Sequence, residues 1–492
     1  MITALETLSP NCRRSLKRLF GAGLLFWGSL SMLLPTLPLY ISDRGGDLQQ
    51  VGLVVGSFAI GLLCFRPWLG QSADRQGRKP VLLAALGVAA TAPVGYLLMG
   101  NLALLIGWRT YHGLSVAGFT IAYLAWVVDL VPPAQRGEII GYMTLVNPIG
   151  LSVGPALGGF LLEAFGYPPL FLTASLLGSL SLFLASTAQE RPEAIVNFPS
   201  LENAPANTEF ADPPLTSPPF GKTSSLPAHS LGYWLQSFVL PLGWRVVVIM
   251  FAMGAIPILV HGLGLSSYLI WFFLPFYGLA AFLGLHLHPG SQVWRPGIWV
   301  IPLCLLLLGL SFGTVTTFIA LFLKTTGLAL NPGWFYTTAA LASFSVRLIV
   351  GRYSDRYGRG IFLTASFLLY TLAMLQLANA TTIVAFLGGA AFEGAGFGIL
   401  ISIIAALVAD RSPAQERGQI FSICLAGLDV GIAIAGPLLG SWADYQGYRA
   451  TFQVATLLSG LALLVFLLYG NKTLLSSLRF GLGLSPDDYA QN

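Results

Sequence analysis

The chain has 492 residues, of which 55% are hydrophobic and only 9% charged, whereas a soluble domain carries about 25% charged residues. With a mean hydropathy of +0.75 it reads as an all-α polytopic membrane protein, since lipid leaves no other way to satisfy backbone groups in long apolar runs. The net charge of +5 does not point to nucleic acid, because the basic residues cluster between the apolar runs, where they set topology.

In chain order, Arg13, Arg14, Lys17 and Arg18 precede an apolar run from Leu19 to Ile41. A secretory signal of the twin-arginine kind is one reading of this start. The run is long enough to span, however, and no small-residue cleavage site follows, so it is predicted as the first helix with a cytosolic anchor. Further spans are predicted at 49–69, 80–99, 102–128, 137–161 and 168–188. A second set follows at 297–322, 333–351, 360–378, 382–409, 418–442 and 449–470.

Between the sets, residues 190–243 are rich in Pro, Ser and Asn and read as a disordered cytosolic linker. The apolar segments 245–264 and 266–285 are each long enough to cross, which makes fourteen spans, with twelve as the alternative. The predicted organisation is therefore a six-helix bundle at 1–189, the linker at 190–243, an inserted hairpin at 244–296, a second bundle at 297–471 and a tail at 472–492. With the N-terminus in the cytosol, nineteen of the 25 Lys and Arg fall inside and only Arg44, Lys324 and Arg449 outside. Both termini are thus expected in the cytosol.

Cys12, Cys64, Cys304 and Cys424 have no metal or redox spacing. The glycines at 394, 396 and 398 follow no strand, so they make no dinucleotide site. No cofactor, metal or catalytic triad is expected. His286 and His288 read as an interfacial pair.

Two stretches organise the chain. Gly70, Asp74, Arg75, Gly77 and Arg78 form a G-x-x-x-D-R-x-G-R pattern, which returns 281 positions later as Gly351, Asp355, Arg356, Gly358 and Arg359. An arginine stands four residues before each copy, Arg66 and Arg347. The same offset relates His112 to Glu393, Asp129 to Asp410 and Gly166 to Gly447. The two halves are therefore parallel repeats, and the two stretches read as short charged hairpins at the membrane surface.

The pattern resembles the signature loop of the major facilitator superfamily, which lies between the second and third helices and recurs weakly between the eighth and ninth. The resemblance covers nearly all of 17–188 and 297–470. It implies two pseudo-symmetric six-helix bundles rocking about a central site. It also implies a cytosolic latch: Asp74 at the start of the helix near Gly418, Arg78 against Asp129, Asp355 at the helix near Gly137, and Arg359 against Asp410. Topology enforcement alone is the plainer reading of these charges.

Arg109 and His112 resemble the family's R-x-x-Q-G motif, often tied to proton coupling, with histidine in place of glutamine. Helical spacing puts Arg109, His112, Phe119 and Tyr123 on one stripe. Such a stripe is a poor lipid face, so it is expected to line the cavity, opposite Glu393 and Asp429. A fixed structural ion pair is the alternative. Gly150, Gly154, Pro155, Gly158 and Gly159 match the G-x-x-x-G-P-x-x-G-G motif associated with exporters, although close packing between the halves would explain them unaided.

The resemblance thus implies a secondary transporter of the drug or metabolite:proton antiporter branch, in the plasma or inner membrane. It would act as a monomer on a small amphipathic substrate, driven by the proton gradient, with the linker open to a cytosolic partner. Uptake by symport or uniport is the rival within transport. A non-transporting sensor or assembly factor is the rival outside it.

Overall fold

A computed structural model describes residues 8–132, 135–189, 296–413 and 417–490. The expected linker, the inserted hairpin and the two histidines beside it lie outside the described residues. Among those described, every regular element is a helix.

The first bundle comprises α1 (Pro10–Asp43), α2 (Leu48–Gln76), α3 (Arg78–Leu98), α4 (Leu102–Leu130), α5 (Arg136–Met143), α6 (Val146–Phe165) and α7 (Tyr167–Ser186). The second comprises α8 (Pro296–Thr325), α9 (Pro332–Tyr357), α10 (Arg359–Asn379), α11 (Ile383–Arg411) and α12 (Arg417–Tyr469), followed by the short α13 (Leu474–Gly481). Ten helices among the described residues are long and apolar enough to cross a bilayer. One of them, α12, is bent at Gly447 into two arms.

The repeat read in the sequence is also a repeat of geometry. Helices α3 and α10 both have 21 residues and begin at Arg78 and Arg359. Helices α4 and α11 both have 29, and each starts at a side-chain cap, Asn101 or Thr382, that accepts from the N–H three residues on. Gly77 and Gly358 share a positive φ (96° and 87°), as do Gly166 and Gly447 (81° and 80°). A residue with a Cβ is strained in that region, so both repeats keep glycine where one residue reverses the chain.

These turns correct the sequence reading of the two charged stretches. Gly70 to Gln76 are the last turns of α2, and Gly351 to Tyr357 those of α9, so only Gly77 and Gly358 lie outside helix. The predicted single helix at 137–161 is present as one span, Glu138–Phe165, with a local break in its hydrogen-bond ladder between α5 and α6. Pro148 cannot donate to the carbonyl of Thr144, and its ring crowds that group, so the ladder breaks there.

Within each bundle, buried hydroxyls bridge neighbouring helices. Ser29 donates to the carbonyl of Ala174 (2.7 Å), Ser31 to that of Gly150 (2.8 Å) and Ser311 to that of Ala455 (3.0 Å). Lipid gives apolar helices no reason to leave it for one another, so such bonds and close backbone packing hold a bundle together.

The bundles meet where α2 touches α12 and where α6 touches α9, two contacts related by the repeat. A Cβ on Gly52 would lie 2.1 Å from the carbonyl oxygen of Gly436, and one on Gly333 would lie 2.3 Å from that of Pro155. Beside the second contact, Thr337 donates to the carbonyl of Ser152 (2.6 Å). Polar groups finish this end. The N–H groups of Leu48 and Gln49 donate to the Asp444 carboxylate (3.0 and 3.1 Å), and Lys324 pairs with Asp43.

The exporter-type motif is divided between two jobs, which corrects the expectation that it packs the halves together. Gly150, Gly154 and Gly158 lie against Trp27, Ser31 and Met32 of α1, inside their own bundle. Only Pro155 and Gly159 face the other bundle, at Gly333 and Asn331. Successive glycines four apart sit on one helix face, and α1 occupies that face.

A cysteine pair introduced at Ser152 and Thr337 in a cysteine-free background should be joined readily by a short thiol cross-linker. Adding Gly333→Val should slow that reaction at least about tenfold, because the new side chain must push α9 off α6. An unchanged rate, measured by gel shift, would show that this glycine does not set the approach.

Candidate functional site

The charged ends of α2 and α9 form a matched pair. Arg78 stands just past the Gly77 turn, where it bonds Asp74 four residues back (2.6 Å) and reaches Asp129 at the end of α4 (3.5 Å). In the other repeat Arg359 bonds Asp410 at the end of α11 (3.2 Å) and Ser354 (2.8 Å). Each arginine thus ties three helices of its own bundle. Arg75 and Arg356 complete the last turns, with Arg356 over the Tyr357 ring (5.6 Å), and Asp355 lies in the last turns of α9. Gly70 has open space where a Cβ would stand.

The expected cross-bundle half of the latch is a different matter. The Asp74 side chain is 73% exposed and bonded to Arg78, so it is not docked on the start of α12 in this structure. The acid-to-helix-start contact between bundles is instead made at the far end of α2, by Asp444.

Between the bundles lies a cavity of ≈ 190 Å³. On one side α1 presents Leu30, Leu33, Leu34, Leu37 and Pro38, an i, i+3, i+4, i+7 stripe. The polar side chains of that part of α1 are turned away into its own bundle, where Thr36 satisfies the carbonyl of Met32 (2.9 Å). Phe58 of α2 and Phe312 and Thr316 of α8 add to the wall, and the two ionisable groups on it are Arg109 of α4 and Asp429 of α12.

Asp429 is held from across the interface by Arg66 of α2 (2.9 Å), and both side chains are about four-fifths buried. In such a setting, removing one partner strands a charge and costs about 3–5 kcal/mol. The pair stands seven residues along α12 from the Gly436 contact, or about 10 Å at 1.5 Å per residue. The sequence marked Arg66 as an intramembrane charge. Its partner became visible only when the two bundles were brought together.

Arg109 is 6% exposed. Its Nη1 donates to Tyr96 Oη and His112 Nδ1 (both 3.3 Å), and its guanidinium lies 4.3 Å from the centre of the Phe58 ring. Arginine only donates, so in this contact Nδ1 of His112 is the acceptor. Tyr96, at 2.9 Å, completes this cluster.

Four of the six residues expected on the cavity wall are elsewhere. His112 is fully enclosed behind Phe58 and Tyr96. Phe119 stacks between Phe26 of α1 (4.0 Å) and Tyr123 (4.6 Å), and Tyr123 reaches the carbonyl of Met143. The stripe on α4 is therefore real but, below Arg109, it is covered by α1. Glu393 is 5% exposed inside the second bundle, where the Tyr370 hydroxyl donates to it (3.3 Å) and α9 packs on the adjoining Gly394. Across the cavity, Arg109 is faced by Asp429 rather than Glu393.

The model of the Major Facilitator Superfamily matches residues 19–330 and 301–479. The multi-drug resistance efflux pump PmrA of Streptococcus pneumoniae is 34% identical over 181 residues, covering 36% of this chain and 44% of that protein. The quinolone resistance protein NorA of Staphylococcus aureus is 28% identical over 166 residues, covering 34% and 42%. Each alignment spans less than half of the relative. Among solved structures, a bacterial homologue of the human lysosomal transporter Spinster, inward-facing and unoccupied, superposes with a TM-score of 0.62 at 15% identity over 96% of this chain and 98% of that one. The peptide transporter POT with bound alafosfalin gives 0.67 at 13% identity over 92% and 93%. With a model match across both repeats, two related bundles and many apolar helices, the chain belongs to the Major Facilitator Superfamily and is a multi-pass membrane protein.

Proposed function

We propose that the chain exports small amphipathic compounds across the cell membrane in exchange for protons, by alternating access of the inter-bundle cavity. The observation that carries this reading is Asp429, a carboxylate on the cavity wall whose partner, Arg66, belongs to the opposite bundle. Protonating Asp429 discharges the pair and frees the bundles to move; losing the proton restores it. Coupling needs just such a group, one whose charge is felt both by the cavity and by the contact between moving halves. The names of the two relatives, an efflux pump and a resistance protein, support the outward direction.

In this reading the two ends of the molecule close in turn. The end described here is shut by Asp444 on the first N–H groups of α2 and by Lys324 on Asp43. A carboxylate at a helix start contributes about 0.3–1 kcal/mol when exposed, strong enough to bias a state yet weak enough to release. When this end opens, Asp74 and Asp355 would take the equivalent places at the starts of α12 and α5. Arg78–Asp129 and Arg359–Asp410 would hold those acids in position throughout. The clustering of basic residues supports a cytosolic position for that second latch and for both termini. The chain would work as a monomer, with the proton gradient as its energy source and no cofactor, and the linker is open to a cytosolic partner.

In proteoliposomes with an imposed pH gradient, Asp429→Asn should keep substrate exchange while gradient-driven accumulation falls at least about tenfold. Glu393→Gln, remote from the cavity, should keep accumulation. The reverse outcome would move the coupling role to Glu393. Proton movement opposite to substrate marks exchange, and movement in the same direction would establish uptake by symport instead.

Asp74→Lys should reach the membrane in normal amount but cycle at least about tenfold more slowly, because it repels the Arg78 it now bonds and cannot dock on a helix start. A variant that fails only in membrane insertion would reduce Asp74 to a topology signal.

A further inference from the structure

The cavity holds a second charge that the coupling pair leaves unused. Arg109 is buried among neutral groups: its Nη1 contacts Tyr96 and His112 at a long 3.3 Å, Phe58 lies under its plane, and its Nε has no hydrogen-bond partner. No carboxylate lies within ion-pair distance of it among the described residues. Asp429, the other charge on the wall, is already matched by Arg66. The cavity therefore carries one guanidinium more than it has carboxylates. A cation taken out of water without a counter-charge costs several kcal/mol, and a positioned guanidinium matches a planar acid group through two parallel N–H donors. Tyr96, His112 and Phe58 hold that group in place before anything binds.

We infer that the cavity binds amphipathic carboxylates, with the acid group on Arg109 and the apolar body against the leucine stripe of α1 and Phe312. This rests on the cavity's being the transport site and adds the sign of the substrate's charge. The volume of ≈ 190 Å³ exceeds the ~150 Å³ of an apolar cavity that admits benzene, room for a small ring system with one acid group. An amine of the same shape would meet uncompensated positive charge.

The test is equilibrium binding to the purified full chain in detergent, followed by tryptophan fluorescence, with three probes of one shape: 2-naphthylacetate, 2-naphthylacetamide and 2-naphthylethylammonium. The acetate should bind at least about tenfold more tightly than the amide, the least expected of a charge-assisted bond, and the ammonium most weakly. Arg109→Gln should bring acetate and amide to equal affinity, and Arg109→Lys should retain part of the preference. Equal binding of acetate and amide to the unaltered chain, or a preference for the ammonium, overturns the inference even if the variants fail to fold. So does a preference that survives in Arg109→Gln. Binding involves no gradient, so the two proposals fail separately in the unaltered chain: absence of the acetate preference with gradient-driven exchange intact overturns the charge assignment alone, and the preference without gradient-driven exchange overturns the exchange reading alone.

Discussion

The structure depends on how closely two backbones can come together in a solvent that does nothing to push them. Lipid tails are as apolar as leucine, so the bundles cannot be held by burying side chains from water. Gly52 against Gly436 and Gly333 against Pro155 remove the Cβ atoms that would keep the helix axes apart. The same contact made twice, once by each repeat, brings the bundles together at one end. Around Asp444 and Asp43 that end is then finished with polar bonds.

Beside these contacts lies the cavity. Its chemistry follows from the expense of charge in this setting. Asp429 is tolerated because Arg66 reaches it from the other side, which makes one electrostatic bond part of both the wall and the interface. Arg109 is tolerated because an aromatic face and two neutral side chains share its charge. That is a partial solution, and it leaves the guanidinium available to a ligand. The titratable groups deeper in each bundle, His112 and Glu393, are enclosed with tyrosines and do not reach the cavity.

Much of this was legible in the residues. Hydropathy located the helices, because a run long enough to span a membrane has few other fates. The offset of 281 between Asp74 and Asp355 predicted the repeat, and the resemblance to the signature loop implied the pairing of Arg78 with Asp129 and of Arg359 with Asp410. The charged stretches were misread as loops because glycine and aspartate are common turn residues, whereas here Gly77 and Gly358 alone make the reversal.

The sequence by itself determined an all-helical, duplicated membrane protein, since composition and period depend only on neighbours along the chain. Tertiary structure alone decided which groups share the cavity. A helical stripe states that Arg109, Phe119 and Tyr123 lie on one face, but α1 covers all but its upper end. The repeat cannot supply the pairing either, because the counterpart of Asp429 is Pro148 and that of Arg109 is Ala390. In a uniformly apolar chain, hydropathy does not distinguish a face that meets another helix from one that meets an open cavity, and only packing does.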